Sequence, residues 1–127
     1  AARAPVPRGR VMVVDDERLV GSSLRRGLSS EHDVTVAASS RLALRLVEQG
    51  ERFDAVVADL MMPDLTGVEL RAELARLDPA LARKVVFMTA GALTDEVQRV
   101  VEAGEVTCLL KPVPLDLLRD ALARVMR

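Results

Sequence analysis

The stretch RVMVVDDERL, residues Arg10–Leu19, decides the fold. Its four apolar residues, Val11–Val14, have the length of a strand that is buried on both faces. Two adjacent carboxylates, Asp15 and Asp16, follow at the point where the predicted strand ends. Two like charges about 4 Å apart repel by roughly 4 kcal/mol at an effective dielectric of 20. We therefore expect either a cation that offsets this repulsion or two side chains that point apart.

Short apolar runs alternate with helical patterns along the whole chain. In TGVELRAELARLD, for example, Leu70, Leu74 and Leu77 recur at helical spacing after Thr66. Five strands that alternate with five helices indicate a parallel sheet covered on both faces, that is, an α/β domain. We expect nearly every leucine and valine of these patterns, including Leu19, to pack in the core. The predicted strands are Val11–Val14, Val34–Ala37, Ala55–Ala58, Val85–Met88 and Thr107–Leu110.

Composition limits the function. The 127 residues suit one domain, and the net charge of -1 with two phenylalanines and no tyrosine or tryptophan argues against a nucleic-acid surface. The single cysteine, Cys108, fits a reducing cytoplasm, and no apolar run approaches the roughly 20 residues of a membrane span. Residues 1–9, AARAPVPRG, predict a linker or a cloning remnant before a domain over residues 10–126.

Polar residues follow four of the predicted strands, at the ends where open parallel sheets bind their ligands. If these strands are neighbours, three carboxylates, one hydroxyl and one ammonium converge. Clustered carboxylates without a cysteine or histidine partner suit a hard cation such as Mg²⁺, which prefers oxygen ligands. The residues are Asp15 and Asp16 after the first strand, Asp59 after the third, Thr89 after the fourth and Lys111 after the fifth.

This set has the groups that phosphoryl transfer requires. Asp59 can act as a nucleophile toward a phosphoryl group and give an aspartyl phosphate, while Mg²⁺ screens the charge on the transferring oxygens. Lys111 can pair with one phosphoryl oxygen and the hydroxyl of Thr89 can donate to another. Each residue alone has a simpler interpretation as a cap, a turn residue or a surface lysine, but five in the right order favour a site.

Four motifs resemble the receiver domain of bacterial two-component signalling, which has the CheY-like fold. VMVVDDE is similar to the acidic pair of that family, and VVADLMMPDLTGVEL is similar to its phospho-acceptor segment. VVFMTAGA resembles its switch-hydroxyl strand, and CLLKPV resembles its Lys-Pro end. The resemblance covers about Arg10–Met126. It implies a doubly wound (βα)5, flavodoxin-like sheet in the order 2-1-3-4-5 with helices on both faces.

The resemblance also implies roles for single residues. Asp16 and Asp59 would bind Mg²⁺ through carboxylate oxygens, and Asp15 would act mainly through a metal-bound water. The main-chain carbonyl of Met61 would be a further ligand. Asp59 would be the phospho-acceptor, Thr89 would move toward the phosphoryl group and Lys111 would contact it. Ala90 leaves room for the donor, and the bond from Lys111 to Pro112 would be cis, which X–Pro bonds allow at low cost.

Four further residues carry expectations of their own. Cys108 stands where receivers commonly have Tyr or Phe, and we expect it to be a small buried apolar residue. Met61 and Gly91, two residues after Asp59 and Thr89, cannot orient an attacking water, so we expect slow self-dephosphorylation. His32 is expected to be solvated or structural rather than a phosphate carrier.

The resemblance implies a regulatory domain, not an enzyme, that accepts a phosphoryl group from a histidine kinase or a histidine phosphotransfer domain. We expect it to be cytoplasmic and bacterial and to contact neither nucleic acid nor membrane itself, although its parent protein could be membrane-anchored. The motif style is similar to receivers at the C-terminus of hybrid sensor histidine kinases. A stand-alone receiver or one from a regulator is the alternative, and a phosphorylation-dependent dimer remains open.

Other functions on a similar sheet would require different residues at the carboxyl ends of the predicted strands. A phosphatase of the haloacid-dehalogenase type would need a second acid two residues after Asp59, where this chain has Met61. A flavin-binding module would need a hydroxyl- and glycine-rich loop where this chain has acids. A pseudo-receiver that docks to a partner without being phosphorylated is a further alternative, because Cys108 replaces the usual aromatic residue. The presence of all three aspartates, Asp15, Asp16 and Asp59, argues against it.

Overall fold

The structure, a computed structural model, describes residues 8–91, 94–104 and 106–127. Most of the expected linker, residues 1–9, therefore lies outside the described residues. The described part contains five strands and six helices. The strands are β1 (Arg10–Val14), β2 (Asp33–Ala37), β3 (Ala55–Asp59), β4 (Val85–Thr89) and β5 (Thr107–Leu110). The helices are α1 (Arg18–Leu28), α2 (Ser40–Glu48), α3 (Gly67–Leu77), α4 (Pro79–Ala82), α5 (Asp95–Glu102) and α6 (Leu115–Val125).

The strands form one parallel sheet in the order β2-β1-β3-β4-β5. This order confirms the flavodoxin-like topology implied by the sequence motifs. β3 lies in the centre, where it pairs with β1 on one side and β4 on the other, and all five of its residues are buried. Asp59, the last residue of β3, is therefore held on a fully paired strand.

Side chains of each strand alternate between two apolar clusters, one on each face of the sheet. In β1, Val11 and Val13 pack with Leu118 and Leu122 of α6. Met12 and Val14 point to the opposite face, where Leu70 of α3 lies in the same cluster. Because both faces are covered, the inner strands β1, β3 and β4 are buried along nearly their whole length, as the sequence predicts, whereas the edge strands β2 and β5 are only partly buried.

Helix ends follow local sequence signals. Thr94 accepts a hydrogen bond from the amide of Val97 at 3.3 Å and caps the start of α5. Thr66 and Glu69 form a reciprocal capping box at the start of α3. Gly50 and Gly104 follow α2 and α5 with positive φ angles of 93° and 75°, a conformation that favours glycine.

Two expectations about the helices are wrong. The chain has a sixth helix, α4, because Asp78 caps the amide of Leu81 at 3.2 Å and Pro79 occupies the first turn. Leu19 and Leu77 do not pack in the core, since they are 84% and 40% exposed.

The longest described helices have 11 residues, and no described helix is long and apolar enough to cross a membrane.

Candidate functional site

The carboxyl ends of four strands meet at one edge of the sheet, as the polar residues after the strands predict. Asp59 is paired in register with Met88, and the amide of Leu60 donates to the carbonyl of Met88 at 2.9 Å. The amide of Lys111 donates to the carbonyl of Thr89 at 2.7 Å. Main-chain hydrogen bonds therefore fix the backbone positions of Asp59, Thr89 and Lys111 relative to one another.

Lys111 joins the carboxylates of this edge. Its ammonium donates to Oδ2 of Asp59 at 2.9 Å and to Oδ2 of Asp15 at 3.0 Å. Asp15, Asp59 and Lys111 come from three different strand ends and are separated by up to 96 positions in the chain. Sequence reasoning placed these residues together, and their side chains are in contact.

The charge state of Lys111 follows from this setting. Burial alone would lower its pKa, because a dry environment disfavours the charged form. The hydrogen bonds that Lys111 donates to Asp59 and Asp15, together with the charges of both carboxylates, outweigh this effect and raise the pKa of Lys111 above its usual range. The ammonium is therefore a permanent cation at neutral pH and offsets the negative charge of the site.

The two adjacent aspartates lie in different environments. Asp15 is 1% exposed, and its Oδ1 accepts from the amide of Glu17 at 2.8 Å while its Oδ2 accepts from Lys111. Asp16 is exposed. The repulsion raised by the sequence is thus relieved both by a cation and by separate burial of the two side chains.

Glu17 is a third acid of the site that sequence reasoning did not assign. Its Oε1 lies 3.6 Å from Nζ of Lys111, and its side chain is 65% exposed. One carboxylate oxygen each of Asp15, Glu17 and Asp59 lie within 4.8 Å of one another. The sequence contains Glu17 as the third acid of the run Asp15-Asp16-Glu17. It does not show which two of these three acids have side chains that lie near Asp59.

Thr89 is 5% exposed at the end of β4, and its hydroxyl bonds within its own turn. It accepts from the amide of Gly91 and is within donor distance of the carbonyl of Gly91, both at 3.3 Å. Ala90 is exposed beside it. Thr89 therefore lies on the same edge as the acids, with its hydroxyl bonded to the main chain of Gly91.

The segment after β3 folds back on the carboxylate of Asp59. The amide of Met61 donates to Oδ1 of Asp59 at 3.0 Å, so both oxygens of this carboxylate are bonded. The side chain of Met61 is exposed. At the end of β5 the peptide bond between Lys111 and Pro112 is cis, as expected.

The acidic group fits a divalent cation of the magnesium type. Its donors are carboxylate oxygens, two of the three residues are buried, and their spacing allows one ion to be shared. Lys111 supplies one positive charge against three negative charges, so the cluster still attracts a cation. The residues present thus match the oxygen-rich environment that Mg²⁺ prefers.

Two residues outside the site differ in part from expectation. Cys108 is only half-buried and packs against the cluster that contains Phe87; burial raises the pKa of its thiol. His32 is 2% exposed, and its Nδ1 accepts from the amide of Gly9 at 3.1 Å, which gives it a structural place at the opposite end of β1.

A five-stranded parallel sheet with this order and an acid–lysine cluster at its carboxyl edge defines the class of CheY-like receiver domains. A family model described as response regulator receiver domain matches residues 11–123. The chain belongs to this family. Its members are regulatory domains of two-component signalling that work with histidine kinases and bind Mg²⁺ at an acidic cluster.

Individual relatives agree with this assignment. The chain is 37% identical over 118 residues to the virulence sensor protein BvgS of Bordetella pertussis, covering 89% of the chain and 10% of BvgS. It is 37% identical over 120 residues to the transcriptional regulatory protein TcrA of Mycobacterium tuberculosis, covering 93% of the chain and 46% of TcrA. Across the curated relatives that it matches, the chain spans from about a tenth to about half of their length.

A solved structure has the same fold. The CheY-like response regulator receiver domain protein from Methanospirillum hungatei superposes with a TM-score of 0.80 at 28% identity. The match covers 93% of this chain and 94% of the other.

Proposed function

We propose that this domain is a phospho-accepting switch in which Asp59 receives the phosphoryl group. The observation that carries the proposal is the contact of Lys111 with both Asp59 and Asp15, at 2.9 and 3.0 Å. This contact supports the proposal because a carboxylate that can act as a nucleophile lies beside a cation and a second acid. The donor is the phosphohistidine of a histidine kinase or of a histidine phosphotransfer domain.

The transfer is a displacement at phosphorus. A carboxylate oxygen of Asp59 forms the new P–O bond, the P–N bond to the imidazole breaks, and the imidazole leaves with the electron pair. Lys111 remains within reach as a counter-ion for the phosphoryl oxygens, and Thr89 moves its hydroxyl toward the group. Bound Mg²⁺ would stabilise the charge on the transferring oxygens.

The metal-binding assignment is part of the proposal. Asp16 and Asp59 are proposed as carboxylate ligands, Asp15 as a partner through a metal-bound water, and the carbonyl of Met61 as a main-chain ligand. Support comes from the acidic cluster around Asp15 and Asp59. Glu17 adds a further carboxylate close to this group, and the exposed Asp16 lies beside it in the chain.

A groove of about 540 Å³ beside the acidic edge supports a protein phosphodonor. Leu19 and Val20 of α1 line one wall, Pro112 and Val113 line the other, and Lys111 lies where the groove meets the acids. An apolar surface next to the acceptor suits a helix of a donor that carries the phosphohistidine.

We also propose wider roles for the domain and its parent protein. The parent protein is a hybrid sensor histidine kinase, consistent with the motif style and with the match to BvgS. The domain itself binds neither nucleic acid nor membrane and acts in the bacterial cytoplasm, where its kinase partner supplies the phosphoryl group. It loses its phosphoryl group by slow self-dephosphorylation, and phosphorylation can promote a dimer.

The test is mass spectrometry of the domain after incubation with a phosphorylated histidine phosphotransfer domain and Mg²⁺. We expect a gain of one phosphoryl group in the wild type and no gain in Asp59→Ala. A wild type that gains none, yet is folded, is a docking module without phosphorylation. Repeated turnover of a phosphate monoester would instead support an aspartyl phosphatase.

A further inference from the structure

The loop that follows the proposed acceptor, residues 60–66, is bonded to a helix on another part of the sheet. Oδ2 of Asp64 accepts from the amide of Arg41 at 2.9 Å, and its Oδ1 accepts from the amide of Ser40 at 3.4 Å. In return, the hydroxyl of Ser40 donates to the carbonyl of Leu65 at 3.0 Å. Three hydrogen bonds thus connect this loop to the first residues of α2.

The N-terminus of a helix is a favourable place for the carboxylate of Asp64. The first amides of a helix lack partners within the helix and carry a partial positive charge, so a carboxylate is stabilised there. Ser39 satisfies the amide of Leu42 at 3.1 Å, and Asp64 satisfies the two amides before it, those of Ser40 and Arg41, from outside the helix. Burial alone would raise the pKa of Asp64, but the bonds from the amides, led by that of Arg41, lower it below its usual range.

The buried position of Ser40 makes the connection specific. Ser40 is fully buried, and a buried hydroxyl that loses its partner carries a desolvation penalty. Its bond to Leu65 therefore resists replacement by water. The hydrogen bonds to Ser40 and Arg41 thus hold two neighbouring loop residues, Asp64 and Leu65.

Two further hydrogen bonds of the loop lie next to the proposed acceptor. The amide of Met61 donates to Asp59, and the amide of Gly67 donates to the carbonyl of Leu60 at 2.9 Å. A Cβ at Gly67 would lie 3.1 Å from the carbonyl oxygen of Asp59, so the chain passes close to itself here. Between these two ends of the loop, Asp64 and Leu65 are hydrogen-bonded to the first residues of α2.

We propose that Asp64, together with Ser40, is a positioning residue for the acceptor site: by fixing the loop to α2 it sets the main chain of Met61 relative to Asp59. This inference rests on the proposed function, because it concerns the affinity of the same site for Mg²⁺. Asp64 touches neither Asp59 nor Lys111 in the contacts described, so its effect passes through the loop.

The test is the dissociation constant for Mg²⁺ alone, measured by isothermal titration calorimetry. Calorimetry is suitable because the chain contains no tryptophan or tyrosine to report binding by fluorescence. We expect Asp64→Ala to weaken Mg²⁺ binding by about tenfold, the lower end of the range for groups that orient metal ligands. Asp64→Asn retains a side-chain oxygen that can accept an amide bond and should recover part of the affinity.

Asp54→Ala is the matched control. Oδ2 of Asp54 accepts from the amide of Arg10 at 2.8 Å, so this variant loses the same kind of bond at the opposite end of the sheet. We expect it to lower the free energy of unfolding without changing the dissociation constant for Mg²⁺. Ser40→Ala removes the hydroxyl bond to Leu65 and should weaken Mg²⁺ binding even if Asp64→Ala does not fold.

The outcomes separate the two proposals. A wild type that binds no Mg²⁺ would overturn the proposed function and this inference with it. Mg²⁺ binding that is normal in the wild type and unchanged in Asp64→Ala, Asp64→Asn and Ser40→Ala would overturn the inference alone. Asp64 would then be a helix cap whose loss affects stability only.

Discussion

Lys111 and Asp59 form an ion pair that is almost removed from solvent: Nζ lies 2.9 Å from Oδ2, and the two side chains are 13% and 8% exposed. The side chain of Asp15, which shares the same ammonium, is fully buried. A buried ion pair is a poor source of net stability, but loss of one partner leaves an uncompensated charge. The stability of the domain and the chemistry of its site are therefore linked through one lysine.

Lys111→Met should destabilise the domain, because two buried carboxylates then face each other without a cation. We expect the free energy of unfolding in urea to fall by about 3–5 kcal/mol at neutral pH, as for other broken buried pairs. Mg²⁺ should restore part of this loss by replacing the ammonium. Lys84→Met, which changes the only other lysine at the opposite end of β4, is the control and should show neither effect.

Alkaline pH should weaken the domain through the same lysine. Its pKa in the folded state is raised above the ordinary value of 10.5, so its contribution is complete below that pH and is lost as pH rises through the folded pKa. We expect the free energy of unfolding of the wild type to decrease above about pH 10.5. Lys111→Met should have a flatter profile over the same range, and equal slopes would contradict the assignment.

Glu17→Gln tests whether the third acid of the site matters for cation binding. The substitution removes a negative charge near the acidic cluster and frees Lys111 to pair more fully with Asp59. Both effects weaken Mg²⁺ binding, but the exposed side chain is screened by water, so we expect only about a two- to fivefold increase in the dissociation constant. Glu48→Gln, a change of the same charge outside the site, should leave the constant unchanged.

The lifetime of the phosphoryl group should depend on Met61 and Gly91. Neither side chain can hold an attacking water, so the wild-type phosphoryl group should persist beyond seconds in Mg²⁺. Met61 is 68% exposed, and a Cβ at Gly91 would meet no atom within 4 Å, so both positions accept polar groups. Met61→Asn and Gly91→Glu should shorten the lifetime in a decay time course, whereas Met61→Leu should not. Wild-type decay within seconds would show the prediction to be wrong.

Leu19→Arg tests the groove as the place where the phosphodonor binds. Leu19 is 84% exposed and lines the groove, so the substitution adds a charge without disturbing the core. Transfer from a phosphorylated histidine phosphotransfer domain should slow by about tenfold or more, since each 1.4 kcal/mol of lost contact is a factor of ten. Transfer from acetyl phosphate should be unchanged. Leu117→Arg, at a leucine that is 53% exposed on α6, is the control.

The sheet could be predicted from the sequence because buried parallel strands are continuous apolar runs that few other elements imitate. Strand ends then placed Asp15, Asp59, Thr89 and Lys111 on one edge without further information. Leu19 was misplaced because helical spacing describes a stripe and does not show where the stripe leaves the core.

The details of the acidic cluster were harder to predict. Whether Asp16 or Glu17 lies near Asp59 depends on the path of the chain between β1 and α1, which three consecutive acids do not specify. The link between Asp64 and Ser40 joins segments 24 positions apart, and no local pattern connects an aspartate in one loop with the first amide of another helix. The short α4 could have been found, since Asp78 and Pro79 are a known helix start.

The central position of β3 limits how the domain can respond to modification. Its amides are paired on both sides and buried, so they exchange with deuterium only when the sheet opens. A phosphoryl group on Asp59, as proposed, would be attached at the end of a strand that is buried and paired on both sides. Motion that follows the modification must arise in the loops and helices around this strand, and slow exchange in β3 should be the same before and after.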